Sequence, residues 1–216
     1  MNYYQDLTLI ANAEINLGYI WQKVFQQVHI ALVDKGYEYV RKENDGTETT
    51  LRGSKIAVSF PCYGDNAYPL GNKLRLLAQE QAFLEGLGIE KWLSRLLDYV
   101  QIDSIEAVPS SVSYAGFRQK RVKGEKRLEQ SLQKKAKHIS DKFGLDFNDT
   151  LQELNKKYAF NEEKMPYIQV ESQSSATDDR KPRFKLFIEK AKLAGPQQGR
   201  FDCYGLSKTA TVPWFD

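Results

Sequence analysis

The pattern of hydrophobic and polar positions predicts an alternation of strands and helices over the first half of the chain. Strands are indicated where apolar and polar side chains alternate, and helices where apolar residues recur three or four positions apart. Asn16 is placed to cap the first helix and Gly36 to end it. The predicted elements are a strand (3–11), a helix (17–36), two strands (55–61 and 72–78), a helix (79–100) and a strand (102–109).

This βαββαβ order is that of the ferredoxin-like split unit, in the α+β class. The fold hosts many functions, so it does not name one. Residues 38–54 interrupt the order with a polar, turn-rich stretch that is predicted to be a mobile loop. Because the composition changes after Pro109, we predict a ferredoxin-like domain over residues 1–109 and a second α+β domain over residues 110–216.

The second domain is predicted to contain an amphipathic helix, a shorter helix and a pair of strands. One face of the amphipathic helix is apolar and the opposite face is basic. The shorter helix is predicted over 149–158 and the strands over 166–174 and 183–191. The apolar face consists of Leu128, Leu132, Ala136, Ile139 and Phe143.

Positive charge is concentrated in one segment. The chain has a formal net charge of only +3, yet residues 117–142 hold ten Lys and Arg against three Asp and Glu. The segment could be an ordinary solvated helix. However, the acidic residues are too few to neutralise it by i,i+4 pairing, and basic residues continue upstream where no helical period explains them. Nucleic acid is the predicted partner.

Several classes of protein are disfavoured. The first twenty residues lack a basic segment followed by an uninterrupted apolar run, which argues against a signal peptide. No stretch approaches the roughly 20 apolar residues of a membrane span. Two cysteines and two histidines lie far apart without metal-ligand spacing, so no metal site is predicted. We expect a cytoplasmic protein with reduced thiols and no membrane partner.

The end of the chain carries the most specific motif. CYGLSK (203–208) is followed by VPWF (212–215), and the pair resembles the closing motif of the type I-F CRISPR repeat endoribonucleases, the Csy subgroup of the Cas-six superfamily. Other segments follow the family's order over essentially the whole chain: VHIAL (28–32), IAVSFP (56–61), SQSS (172–175) and FKLFI (184–188).

The resemblance implies a ferredoxin-like domain joined to a C-terminal part with a basic, RNA-binding helix. It implies an enzyme that cuts precursor CRISPR RNA at the base of a repeat hairpin, without metal or cofactor, and then keeps the mature guide RNA. The nucleophile is the neighbouring ribose 2′-OH, and the products carry 2′,3′-cyclic phosphate and 5′-OH ends. The other implied partners are the remaining Cas subunits of the type I-F interference complex.

Three residues match catalytic positions of the family. A histidine at the edge of an apolar helical stripe is more often structural, but His29 matches the family's catalytic histidine and is predicted to transfer a proton, as base or acid. Ser172, which could simply bond its own backbone at a strand end, is predicted to orient the 2′-OH. Tyr204, which could simply pack, is predicted to position His29 or the scissile phosphate.

A larger set is predicted to bind RNA. Arg118 and Lys120 fall where the family reads base edges near the bottom of the stem, although Lys120 departs from the family's glutamine. Phe184 matches an aromatic that packs on RNA bases, and could equally be a strand core residue. His138 matches no catalytic position and is expected at the surface. The remaining predicted contacts are Arg121, Lys123, Lys126, Arg127, Lys134, Lys135, Lys137, Ser174 and Ser175.

Two other functions compete with RNA cleavage. A subunit that binds the hairpin without cutting it would need neither His29 nor Ser172. A DNA-binding regulator would place the basic helix in a duplex groove, but the sequence has no helix-turn-helix spacing. The leading hypothesis is therefore a metal-independent endoribonuclease specific for the repeat hairpin.

Overall fold

The computed structural model is a mixed α+β protein with antiparallel sheets, so the predicted α+β class is confirmed. The chain forms two compact units, residues 1–120 with 166–216, and residues 121–165. The predicted boundary between residues 109 and 110 stays a prediction. The structure describes residues 1–42, 45–65, 67–120, 125–157, 165–172, 182–193 and 195–215, with only the backbone for 125–128.

The described residues form both helices and strands. In chain order they are β1 (Tyr3–Leu9), α1 (Leu17–Asp34), β2 (Tyr37–Lys42), β3 (Glu48–Ser54), β4 (Ile56–Ser59), β5 (Lys73–Ala78), α2 (Gln81–Leu87), α3 (Ile89–Trp92), β6 (Val100–Ile102), β7 (Glu106–Ala107), β8 (Ser113–Lys120), α4 (Glu125–Phe143), α5 (Phe147–Lys157), β9 (Tyr167–Glu171), β10 (Arg183–Leu193), β11 (Phe201–Asp202) and β12 (Val212–Trp214). The predicted strand over 102–109 is wrong in extent, because the chain forms two short strands there, β6 and β7.

The first sheet has the strand order β4-β5-β1-β6, and the short strand β7 also pairs with β1. Every pairing in this sheet is antiparallel. The central strand β1 has a neighbouring strand on each edge, and its polar residues Gln5 and Asp6 are buried. A buried Asp6 needs a partner, and the cross-strand residue Arg75 supplies it.

Helix α1 forms where the apolar stripe predicts it. The Asn16 side chain accepts a hydrogen bond from the Tyr19 backbone N–H at 3.0 Å, which confirms the predicted cap. The indole N–H of Trp21 donates to the Gly71 carbonyl at 2.8 Å, which ties the helix to the segment before β5. The stripe is buried at Ile20, Trp21, Val24, Phe25, Val28, Ala31 and Leu32.

The prediction of a mobile loop over residues 38–54 is wrong. Strands β2 and β3 pair antiparallel along their whole length, and β3 pairs on its other edge with β11. The polar composition misled the prediction because both strands are largely exposed and are held by cross-strand contacts. The Tyr37 and Tyr39 rings lie on one face of β2, tilted by 43° with their centroids 6.0 Å apart.

The second predicted helix is divided. Helix α2 ends and α3 begins at Gly88, whose backbone adopts the left-handed conformation with φ +58°. Gly88 therefore breaks the predicted helix, whereas Gly86 lies within α2. The two short helices bury Leu84, Leu87 and Ile89.

A second sheet has the order β12-β8-β10-β9. Strand β8 contains the beginning of the basic segment, including Arg118 and Lys120. This assignment explains why the basic residues there follow no helical period. Strand β9 packs against α1, and its inward residues Ile168 and Val170 join the main core.

The smaller unit is a helical pair of α4 and α5. Leu132 and Ala136 of α4 are buried against Leu154 of α5, as the predicted apolar face requires. The prediction fails at Phe143, which is 64% exposed because α4 ends there, before the turn into α5. In neither unit does a described helix have the length and apolar character needed to cross a membrane.

Candidate active site

His29, Ser172 and Tyr204 lie in the walls of one cleft of about 530 Å³ in the larger unit. His29 comes from α1, Ser172 follows the last residue of β9, and Tyr204 follows β11. The fold therefore brings together three residues that are far apart in sequence. The other lining residues are Ile30, Val33, Arg52, Glu171 and Cys203.

The His29 ring has a defined orientation. Its Nδ1 lies 2.8 Å from the carbonyl oxygen of Cys203. A carbonyl oxygen only accepts hydrogen bonds, so Nδ1 carries the proton and donates. In the neutral ring this leaves the lone pair on Nε2. Burial lowers the pKa of His29 below its usual value, and the bond to Cys203 opposes that shift. At neutral pH the ring therefore presents a proton acceptor.

Tyr204 packs flat against the imidazole. The two rings lie 4.1 Å apart between centroids and 15° from parallel. Phe25, one helical turn before His29, stacks on the same tyrosine at 6.4 Å. Burial raises the pKa of Tyr204 to about 12, so its hydroxyl keeps its proton at neutral pH. Tyr204 can therefore fix the imidazole plane and donate a hydrogen bond, but it cannot serve as a base.

The turn that carries Tyr204 is stabilised by the side chain of Asp202. The Asp202 carboxylate accepts hydrogen bonds from the backbone N–H groups of Tyr204 at 2.8 Å and Leu206 at 3.0 Å. Burial raises the pKa of Asp202, while these bonds favour its charged form. The Gly205 carbonyl accepts from the Val58 N–H at 2.9 Å, which joins the turn to β4.

Gly205 is expected to be irreplaceable in this turn. Its φ is +72°, and an added Cβ would lie 2.5 Å from a methyl carbon of the buried Val58. We expect Gly205→Ala to lower the free energy of unfolding by roughly 2–5 kcal/mol, from left-handed strain together with overpacking. Urea unfolding measures this change.

Gly46→Ala is the matched control, since Gly46 also has a positive φ (+83°) but no described atom lies within 4 Å of the added Cβ. It is expected to lose only about 1–2 kcal/mol, the strain alone. Equal losses in the two variants would show that the contact with Val58 is unimportant.

Ser172 is positioned by the end of β9. Its backbone N–H donates to the Pro182 carbonyl at 2.8 Å, which continues the pairing of β9 with β10 by one residue. The preceding Glu171 is tied to α1, because its N–H donates to the Gln26 side chain at 2.9 Å. Its carboxylate pairs with Arg183 at 3.2 Å. These contacts hold the segment that ends in Ser172 against the helix that carries His29.

Residues 4–215 match the family described as CRISPR-associated protein (Cas_Csy4). The chain belongs to the Cas_Csy4 family. Two curated relatives are similar over their whole length and that of this chain, each 27% identical. Both are named CRISPR-associated endonuclease Cas6/Csy4, one from Pseudomonas aeruginosa (strain UCBPP-PA14) and one from Escherichia coli (strain UTI89). The family predicted from the terminal motif is confirmed.

In this Cas_Csy4 protein, Arg118 and Lys120 share one carboxylate. Both point to the same face of β8, opposite Glu189 of β10. Arg118 Nε lies 2.6 Å from Glu189 Oε2 and Lys120 Nζ lies 3.2 Å from Oε1. The Arg118 hydrogen bond is the main cause that holds the pKa of Glu189 below its usual value. A base edge that binds either cation must therefore compete with Glu189.

The other predicted RNA contacts differ in exposure, and some of them lie outside the described residues. Phe184 is 36% exposed and lies outside the main core, which argues against the core interpretation, and its contact with RNA stays a prediction. Lys134, Lys135, Lys137 and His138 are exposed on α4. Outside the described residues lie Arg121, Lys123, Ser174 and Ser175, together with the side chains of Lys126 and Arg127.

Several residues of the cleft were missed by the sequence analysis. Arg52 belongs to the segment that was assigned as a loop, and no local signal links it to His29. The Cys203 carbonyl and Glu171 act through backbone position, which residue type does not indicate. Asp202 was detectable, because an Asp two residues before Tyr204 is the pattern of an Asx turn.

The described residues hold no group of three His, Cys, Asp or Glu side chains arranged to bind a metal ion. Cys62 and Cys203 are free thiols. Metal independence of the reaction stays a prediction.

Proposed function

We propose that the protein is a metal-independent endoribonuclease that recognises the CRISPR repeat hairpin and cleaves precursor CRISPR RNA at the base of the stem. The observation that carries the proposal is the meeting of His29, Ser172 and Tyr204 in one cleft, with an unprotonated nitrogen presented by His29. Membership of the Cas_Csy4 family supports it, since the curated relatives are named endonucleases. The protein then retains the mature guide RNA in the type I-F interference complex, in the cytoplasm.

The proposed reaction uses the RNA's own nucleophile. Nε2 of His29 accepts the proton of the 2′-OH as that oxygen attacks the adjacent phosphorus. The bond from phosphorus to the 5′-oxygen of the next nucleotide breaks, and that oxygen takes up a proton from solvent, to which His29 afterwards returns the proton it accepted. The products are a 2′,3′-cyclic phosphate and a 5′-OH. Ser172 orients the 2′-OH by a hydrogen bond, and Tyr204 keeps the imidazole in plane.

RNA recognition is proposed to involve both units. The larger unit supplies Arg118, Lys120 and Phe184 from the second sheet, and the smaller unit supplies the exposed lysines of α4. Lysine binds phosphate as a point charge, so the α4 contacts follow the backbone and not the sequence. We also propose that residues 1–109 are ferredoxin-like, and the order β4-β5-β1-β6 supports this.

The test of the function is cleavage of a labelled repeat hairpin RNA, from the protein's own CRISPR array, in the presence of EDTA. We expect the native RNA to be cut at one position. An RNA with a single 2′-deoxy nucleotide just upstream of the scissile phosphate is expected to bind equally well and remain uncut, because the nucleophile is missing. Electrophoresis after treatment with a phosphatase that opens cyclic phosphates identifies the ends.

Cleavage of the deoxy RNA would rule out the internal nucleophile. Dependence on added divalent metal would overturn the metal-independent mechanism. Tight binding of the native RNA without any cleavage would instead identify the chain as a hairpin-binding subunit.

A further inference from the structure

The hairpin of β2 and β3 brings a cation to the cleft that the proposed mechanism does not use. Arg52 of β3 lines the same cleft as His29, Ser172 and Tyr204, and its side chain is 56% exposed. We propose that Arg52, the residue of the β2–β3 hairpin that reaches the cleft, binds the scissile phosphate of the RNA. This inference rests on the proposed endoribonuclease function.

The position of Arg52 is fixed by the strand that leads to Tyr204. Strand β11 pairs with β3 in the register Phe201 to Ser54 and Asp202 to Gly53. Arg52 is therefore the next residue of β3, level with the turn that begins at Cys203. Burial raises the pKa of the Cys203 thiol, and the charge of Arg52 acts in the opposite direction, as expected for a nearby cation.

Arg52 is held in place by a weak partner. Glu38 lies directly across the hairpin, with its Oε1 3.4 Å from Arg52 Nε. Both side chains are exposed, and exposed pairs of this kind contribute little stability. The guanidinium has five N–H donors in a planar fork, which suits a phosphate. Glu38 can therefore orient Arg52 without preventing it from binding RNA.

The chemistry of the cleft calls for such a cation. Attack of the 2′-oxygen places additional negative charge on the phosphate oxygens. His29 is neutral at the start of the reaction, Tyr204 is protonated, and Glu171 is a paired anion. Among the described residues that line the cleft, Arg52 is the Lys or Arg side chain available to offset this charge.

The shape of the surface points to the same role. A second cavity of about 490 Å³ shares Ile30, Val33 and Arg52 with the cleft and continues past Glu38 and Trp92. Arg52 lies where the two cavities meet. An RNA strand that enters the cleft and continues into the second cavity would pass directly over the Arg52 guanidinium.

The test compares Arg52→Ala and Arg52→Lys with Lys42→Ala. Lys42 is a matched control, because it lies in the same hairpin and forms the same kind of exposed cross-strand pair, with Glu48 at 3.2 Å. Single-turnover cleavage of the repeat hairpin RNA is measured with saturating protein, and affinity is measured separately with the uncleavable 2′-deoxy RNA. Thermal unfolding checks that each variant is folded.

We expect Arg52→Ala to lower the saturated cleavage rate by roughly 100- to 1,000-fold, the range for removal of one donor to a developing oxyanion. Arg52→Lys should recover part of the loss, and Lys42→Ala should stay within about two-fold of the wild type, because no donor to the phosphate is removed. Equal rates for Arg52→Ala and Lys42→Ala would overturn the inference, as would a loss of affinity with an unchanged saturated rate. In both cases wild-type cleavage would leave the proposed function standing, whereas an inactive wild type would remove both.

Discussion

His29→Ala is expected to reduce the single-turnover cleavage rate of the repeat hairpin RNA by roughly 10²–10⁴-fold, the range for a general base. The reason is that Nε2 of His29 is the proposed acceptor of the 2′-OH proton, while Nδ1 is occupied by the Cys203 carbonyl. Affinity for the uncleavable 2′-deoxy RNA should change little, since a neutral imidazole adds no charge to the binding surface.

A second substitution separates proton transfer from positioning. His29→Asn retains an N–H that can donate to the Cys203 carbonyl, but it provides no titratable nitrogen. We expect it to be as inactive as His29→Ala. His138→Ala is the control, because this exposed histidine of α4 lies in the other unit. Substantial cleavage by His29→Asn would mean that the histidine only holds the turn at Cys203.

The pH dependence of the wild-type cleavage rate should reflect the protonation of His29. A base must be unprotonated, so the rate is expected to fall as the pH falls through the pKa of His29. Burial lowers that pKa below the usual value of about 6.5. The rate should therefore be level around neutral pH and decline only in more acidic buffer, and this decline should be absent from the residual activity of His29→Ala.

Elements with local signals were predictable from the sequence. Helix α1 has both a full apolar stripe and a capping Asn16, so its start and its buried face follow from spacing alone. Strands β1, β4 and β5 of the first sheet likewise lie within segments that the sequence predicts as strands. His29 stands at the edge of that stripe, and spacing could not tell a boundary histidine from a functional one. The family motif made that distinction.

Features that depend on pairing between distant segments were not predictable. The β2–β3 hairpin has the polar composition of a loop, because it is exposed. Strand β11, which completes its sheet by pairing with β3, comes about 150 residues later in the chain, so no local signal indicates the pairing. The placement of Arg52 in the cleft follows from that pairing. Glu189 likewise meets Arg118 only through the register of β8 with β10.

The second prediction concerns how much the buried ion pair of Asp6 and Arg75, in the first sheet, contributes to the stability of the fold. Arg75 donates two hydrogen bonds to Asp6, from Nε at 2.6 Å and from Nη2 at 2.8 Å. Its third contact is Nη1 to the Phe215 carbonyl at 2.7 Å. The guanidinium also lies 3.8 Å from the Phe215 ring and 4.6 Å from the Tyr4 ring. Arg75 thus joins β1, β5 and the end of the chain after β12.

Arg75→Met is expected to lower the free energy of unfolding by about 3–5 kcal/mol, because it leaves the buried Asp6 carboxylate without its main partner. Lys73 is the internal control. It contacts the same carboxylate at 3.4 Å from a partly exposed position, so Lys73→Met should lose less than about 1 kcal/mol. Urea unfolding followed by circular dichroism measures both changes.

The double variant Asp6→Leu with Arg75→Met tests the reason for the loss. If the penalty comes from an uncompensated buried charge, removing both partners should recover most of the stability lost by Arg75→Met. The part that is not recovered then measures the contact with Phe215, which fixes the segment following the Tyr204 turn. A double variant that is less stable than Arg75→Met would show instead that Asp6 has other essential contacts, and the ion pair would not be the source of the effect.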